Sequence, residues 1–128
     1  MQLGVAALGG RLYANPSGPE IAIASDIRLS DAGKTHAIYD GKPEIFDALC
    51  MHRDDVLDGG NSFSIVCANA YCGVQAVASR VADILFWGVQ YHPELYFSQI
   101  ADYLERSDVE GFSRIKQLAG LSLAAGQS

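Results

Sequence analysis

The residues best able to do chemistry lie in the segment Trp87-Gly88-Val89-Gln90-Tyr91-His92-Pro93-Glu94. His92 ends an apolar stretch, Pro93 stiffens the turn, and a carboxylate follows two residues after the imidazole. One ring nitrogen can then be held by Glu94 while the other faces a cleft. This is the base and orienting acid of a nucleophilic triad. Spacing alone favours an ordinary strand exit, so the assignment needs further support.

The cysteines are the natural candidates for a nucleophile. Cys50, Cys67 and Cys72 form an odd set with no C-x-x-C pair, which argues against a disulfide framework and a zinc ribbon. None lies among small residues leading into a helix, as a nucleophile on a tight strand-to-helix turn does. We predict reduced core thiols. Together with His36 and His52 they offer metal-donor types without regular spacing, so we predict no metal and no cofactor.

The elements that must position His92 are strands followed by helices. Alternating apolar residues predict strands at 21–29, 45–49, 63–67, 74–78 and 84–91. The last is apolar on both faces, which predicts burial on both sides. A short helix at 3–8 is expected to stop at Gly9-Gly10, and helical spacing predicts helices at 97–104 and 112–118, the second with a capping box from Ser107 to Glu110. The pattern indicates an α/β layer structure with a partly antiparallel sheet.

Composition narrows the functional classes. The 128 residues fit one globular domain, with 49% hydrophobic and 19% charged residues. A formal charge of −6 disfavours nucleic-acid and anionic-lipid partners. The longest apolar run, 81–91, is far shorter than the ~20 residues that cross a membrane. No export signal is recognisable at the start, so a cytoplasmic location is expected. The acidic cluster Asp54, Asp55 and Asp58 is predicted to be a solvated loop.

Three segments resemble one family. Residues 87–94 are similar to the G-V-Q-[FY]-H-P-E block of class I (triad-type) glutamine amidotransferases, which release ammonia from glutamine for a partner synthetase. Residues 1–11 resemble the segment after the family's nucleophile elbow, G-x-C-x-G-x-Q, with Gln2 matching the last glutamine. His52-Arg53-Asp54-Asp55-Val56 resembles its H-x-D-x-V block. In order, the similarity covers nearly all of residues 1–118.

The resemblance implies a flavodoxin-like, or Rossmann-like, three-layer α/β fold with a mixed sheet and C-terminal helices. Aligned in this way, the nucleophilic cysteine would lie four residues before Gln2, outside the chain. We therefore expect residues 1–121 to be the C-terminal half of an amidotransferase domain, without the N-terminal strands and helices, and 122–128 to be a flexible tail. Such a chain is expected to be inactive alone.

The resemblance also implies roles for individual residues. His92 would be the general base and Glu94 would fix its tautomer, in a hydrolysis that produces glutamate and ammonia. The expected partners are glutamine and a synthetase domain or subunit. The residues expected to line the glutamine pocket, some through their main chain, are Gln2, Met51, Arg53 and Asp54.

Two other functions remain open at this stage. The chain could be a non-catalytic glutamine-binding or regulatory module that keeps the pocket, or an autonomous cysteine hydrolase that uses Cys50 or Cys72. A half-domain would also leave the sheet with an unpaired apolar edge, which predicts association between copies of the chain.

Overall fold

The computed structural model describes residues 1–58 and 62–106. In this part of the chain, short helices and a 3₁₀ turn at Ala37–Tyr39 accompany two antiparallel sheets. The helices are α1 (Gln2–Ala7), α2 (Asp31–Lys34) and α3 (Phe97–Arg106). The strands are β1 (Arg11–Ala14), β2 (Glu20–Leu29), β3 (Ile45–His52), β4 (Asp54–Asp58), β5 (Ser64–Ala68), β6 (Ala76–Val81) and β7 (Ile84–Val89).

The main sheet has the order β3-β2-β5-β6-β7, and its four neighbouring pairs are antiparallel. The longest pairing joins β2 to β3, from Glu20 opposite His52 to Arg28 opposite Ile45, with an irregularity between Ala24 and Ile27. The predicted α/β class is confirmed. The strand pairs in the described residues are all antiparallel. Of the predicted C-terminal helices, the first is α3. The second, its capping box and the tail lie outside the described residues.

The exit of β7 carries the chain back to the opposite edge of the sheet. The Gln90 amide donates to the Gln75 carbonyl at 2.7 Å, and the His92 amide donates to the Leu49 carbonyl on β3, also at 2.7 Å. Between them, Tyr91 is buried, with its hydroxyl 2.9 Å from that of Tyr39. The sheet therefore curls so that the residues after its last strand lie against its first edge strand.

The second sheet was not predicted. β1 and β4 form a two-stranded antiparallel ribbon in which Tyr13 lies opposite Asp55 and Ala14 opposite Asp54. The predicted acidic loop at Asp54, Asp55 and Asp58 is therefore wrong, because these residues lie on β4. Acidic residues disfavour strands in general, and here the buried partners of Asp55 offset that preference.

The predicted burial of β7 on both faces is also wrong within this chain. Among the described strands β7 pairs only with β6, and Ile84, Leu85 and Trp87 remain 68%, 54% and 47% exposed. Apolar side chains on both faces suit a strand that is covered on both sides. The described residues do not supply that cover for β7. No helix in residues 1–58 and 62–106 is long and apolar enough to span a membrane.

Candidate active site

The predicted pair of His92 and Glu94 is present in the structure. Nδ1 of His92 lies 2.7 Å from Oε1 of Glu94, and both side chains are partly exposed. The hydrogen bond from His92 lowers the pKa of Glu94, so the acid is a carboxylate at neutral pH. Glu94 accepts from Nδ1, which leaves Nε2 as the nitrogen able to take up or release a proton.

Local main-chain contacts explain why the pair forms. The His92 amide is fixed to β3 through Leu49, and the His92 carbonyl accepts from the Leu95 amide at 3.3 Å. Leu95 packs against the buried cluster that contains Leu49 and Ile100. Pro93 restricts the backbone of the turn between His92 and Leu95, which these hydrogen bonds hold in place. These contacts fix the main chain of His92, and with it the imidazole, next to the edge strand β3.

A cavity of about 470 Å³ opens beside this pair. Such a volume is adequate for an amino-acid ligand. Its walls come from α1, the end of β3 and the exit of β7, and consist of Met1, Gln2, Leu3, Met51, His52, Val89, Gln90, Tyr91, His92, Pro93 and Glu94.

Two of the four residues predicted to bind glutamine line the cavity, and two do not. Gln2 and Met51 line the cavity together with His92, whereas Arg53 and Asp54 are not among its lining residues. The Asp54 carbonyl is already in use, because it accepts hydrogen bonds from the side-chain amides of Gln2 and Gln90. Their roles toward glutamine remain predictions.

The three cysteines are buried and reduced, as predicted from the sequence. Burial raises the pKa of Cys67 to about 11 and that of Cys72 to about 12, and it also raises the pKa of Cys50. The thiols therefore stay protonated at neutral pH and lack the thiolate that a nucleophile requires. The structure thus speaks against an autonomous cysteine hydrolase built on Cys50 or Cys72.

The sequence analysis missed a buried charged network that includes the cavity-lining residue His52. Nε2 of His52 lies 2.7 Å from Oε2 of Glu20, and Nδ1 lies 3.0 Å from Oδ1 of Asp55. Asn15 donates to the other oxygen of Asp55 at 2.7 Å. The H-x-D-x-V block contains two of these residues, but the sequence analysis used that block only for its main chain.

One set of possible metal donors occurs in the described residues. Single donor atoms of His52, Asp55 and Cys72 all lie within 4.8 Å of one another. Both ring nitrogens of His52 already lie against carboxylates, at 2.7 Å from Glu20 and 3.0 Å from Asp55. We therefore assign these atoms to the buried network and not to a metal centre.

Comparison with known proteins decides the family. The family model for "Glutamine amidotransferase class-I" matches residues 1–109, which include the His92–Glu94 pair and its cavity. The chain belongs to the class I glutamine amidotransferases. The resemblance inferred from three sequence blocks is confirmed, and so is the α/β fold class of that family.

Curated relatives are similar over most of this chain. It is 34% identical to the gamma-glutamyl-L-1-hydroxyisopropylamide hydrolase of a Pseudomonas species, over 84% of this chain and 37% of that protein. It is 26% identical to a glutamine-hydrolyzing GMP synthase subunit of Methanococcus maripaludis, over 76% of this chain and 52% of that relative. The chain thus spans about half or less of the length of these relatives.

Solved amidotransferase structures share the fold. A glutamine amidotransferase from Thermotoga maritima superposes with a TM-score of 0.63 at 17% identity, covering 92% of this chain and 53% of that one. One from Methylobacillus flagellatus gives a TM-score of 0.65 at 18% identity, covering 83% and 40%.

Proposed function

We propose that this chain is the base-carrying part of a glutamine-hydrolysing amidotransferase. The observation that carries the proposal is the 2.7 Å hydrogen bond between His92 and Glu94 at the rim of a cavity. Family membership supports the reaction class, and the His92–Glu94 geometry supports the roles of base and orienting acid.

The proposed chemistry is acyl transfer to sulfur. Nε2 of His92 takes the proton of a cysteine thiol, and the thiolate attacks the carboxamide carbon of glutamine. As the carbon–nitrogen bond breaks, the imidazolium returns the proton to the departing ammonia. Water, deprotonated by His92, then cleaves the γ-glutamyl thioester to give glutamate and restore the thiol. Glu94 stabilises the imidazolium that forms in each half of the cycle.

The thiol itself must come from residues outside these 128. Buried, protonated Cys50, Cys67 and Cys72 cannot supply it. We propose that the chain alone does not hydrolyse glutamine and becomes active when a segment carrying the Gly-x-Cys-x-Gly elbow is joined ahead of Gln2. The fully reduced thiols suit a cytoplasmic setting.

Two leaving groups fit this chemistry. The similarity to GMP synthase subunits favours glutamine, with ammonia passed to a partner synthetase. The similarity to the Pseudomonas hydrolase favours an N-substituted γ-glutamylamide, from which an amino alcohol departs and no synthetase is required. Both substrates share the γ-glutamyl group, so His92 and Glu94 have the same roles in each.

The test is a fusion in which the preceding half of the Pseudomonas relative, ending in its cysteine elbow, is joined to this chain. We expect ammonia release from glutamine by the fusion and none by the chain alone. His92→Ala should abolish release, whereas His36→Ala, outside the cavity lining, should not. A folded fusion that binds glutamine without hydrolysing it would indicate a binding or regulatory module instead. Comparing rates on glutamine and on γ-glutamyl-L-1-hydroxyisopropylamide distinguishes the two leaving groups.

A further inference from the structure

Three strands contribute side chains to one buried ionic group. Glu20 lies on β2, His52 ends β3, and Asp55 lies on β4. Their side chains are only 7%, 5% and 1% exposed. Buried charges of this kind persist only when each has a partner. The group therefore fixes the relative positions of the two sheets, because Glu20 and His52 belong to one and Asp55 to the other.

The contacts of His52 favour a positively charged ring. Each ring nitrogen of His52 faces a carboxylate oxygen, at 2.7 Å toward Glu20 and 3.0 Å toward Asp55. A neutral imidazole carries a lone pair on one nitrogen, which would repel an oxygen at that distance. Burial opposes a charged ring, but Glu20 and Asp55 outweigh it and raise the pKa of His52. The ring is therefore held as an imidazolium.

The Glu20 carboxylate is kept charged by donors from other elements. Glu20 accepts hydrogen bonds from Asn69 at 2.7 Å and from Gln75 at 2.8 Å. Burial opposes its charge, yet these bonds and that of His52 leave the pKa of Glu20 below its usual value. The thiols of Cys50 and Cys72 and the hydroxyl of Tyr71 also interact with the network, and their raised pKa values keep them neutral.

The same short segment forms a wall of the glutamine cavity. Met51 and His52 line it, and the Asp54 carbonyl two residues later is held by the amides of Gln2 and Gln90. The segment is thus anchored by buried side chains on one side and by two amide donors on the other. Loss of the buried contacts of His52 would let the main chain of residues 51–54 shift while His92 keeps its position.

We infer that His52, clamped between Glu20 and Asp55, is a positioning residue that fixes the 51–54 main chain as one wall of the glutamine pocket. The inference rests on the proposed function, because it assigns glutamine to that pocket. Removing the clamp should therefore weaken substrate binding more than it slows the chemical step.

The first experiment uses the 128-residue chain and requires no activity. In nitrogen-labelled protein at pH 7.5, both ring nitrogens of His52 should carry protons, and His52→Asn should speed amide exchange in residues 51–55 by about tenfold or more relative to β6. A neutral His52 ring, or a metal recovered in equal amount with the chain and lost in Cys72→Ser, would overturn the inference.

The second experiment uses the active fusion. His52→Asn should raise KM for glutamine about tenfold or more while kcat changes less than about threefold. His36→Asn makes the same exchange at a histidine outside the network and the cavity lining, and it should leave both constants unchanged. If His52→Asn fails to fold, Glu20→Gln keeps the shape and should give a smaller rise in KM.

A fall in kcat with constant KM would contradict a positioning role. An inactive wild-type fusion would refute the proposed function and leave the labelling result to decide the inference.

Discussion

His92 and Glu94 form a surface dyad in which Nδ1 lies 2.7 Å from Oε1, with the proline between them setting the turn. The pair is partly exposed, whereas His52, which lines the same cavity, is buried against Glu20. Exposure suits the proposed role of His92 as a base that meets a substrate and a thiol, whereas burial suits the inferred role of His52 in fixing the main chain.

Replacing Glu94 tests its orienting role. In the active fusion, Glu94→Gln keeps a hydrogen-bond acceptor but removes the charge that stabilises the imidazolium. We expect kcat to fall about 10- to 100-fold, as for other groups that orient an imidazole. Glu44→Gln is the matched control, because Glu44 is an exposed glutamate whose partner is Lys34 at 3.4 Å. Equal rates for the two variants would contradict the role assigned to Glu94.

The buried network should make stability depend on pH. The raised pKa of His52 means that its contribution is complete below its ordinary value of 6.5 and is lost as pH rises through the raised value. Glu20 has a lowered pKa, so its contribution is complete above 4.5 and is lost as pH falls. Stability should therefore decline above pH 6.5, by at most about 1.4 kcal/mol per pH unit.

Urea unfolding followed by circular dichroism between pH 6.5 and 8 measures this decline. The range ends there because unfolding exposes three buried thiols whose raised pKa values add a decline of the same sign at higher pH. Glu20→Gln should flatten the profile and lower the free energy of unfolding by about 3 kcal/mol at pH 6.5. Parallel profiles for the variant and the wild type would count against the network.

The sequence predicted the contact between His92 and Glu94 and most of the strands, and the predictions that were wrong have physical causes. His92 and Glu94 are close in sequence, so local spacing was enough to place them together. The side chains of Glu20, His52 and Asp55 meet only through tertiary pairing, which periodicity cannot report. β4 was not predicted because its aspartates are typical of a solvated loop. The buried partners of Asp55, which are His52 and Asn15, cannot be identified from the sequence. An unpaired apolar edge of the sheet was expected, whereas the predicted burial of β7 on both faces is wrong among the described residues.

Gly33 offers a test of the packing of α2. A Cβ there would meet the carbonyl of Val66 on β5, far inside contact distance. Gly33→Ala should therefore push α2 away and lower the free energy of unfolding by about 1–3 kcal/mol. Gly73→Ala is the control, since nothing lies within 4 Å of its added Cβ, and it should change stability by less than about 0.5 kcal/mol. Equal melting temperatures would show that the packing is looser than described.

The open edge at β7 predicts association between copies of the chain. Ile84 and Leu85 are largely exposed, and the strand that carries them pairs on one side only among the described strands. Sedimentation at increasing concentration should show oligomers, and a double change of Ile84→Lys and Leu85→Lys should shift them toward monomer. Leu57→Lys, which removes an exposed leucine from β4, should have little effect. A wild-type chain that stays monomeric at high concentration would contradict this expectation.

The reactivity of the supplied thiol tests most directly whether His92 serves a sulfur from outside this chain. In the fusion, the pH dependence of alkylation by iodoacetamide gives the pKa of the elbow cysteine, and the three resident thiols are buried and do not interfere. We predict a thiol pKa clearly below the ordinary value of about 8.5, returning to it in His92→Ala. The same alkylation profile with and without the imidazole would contradict the account.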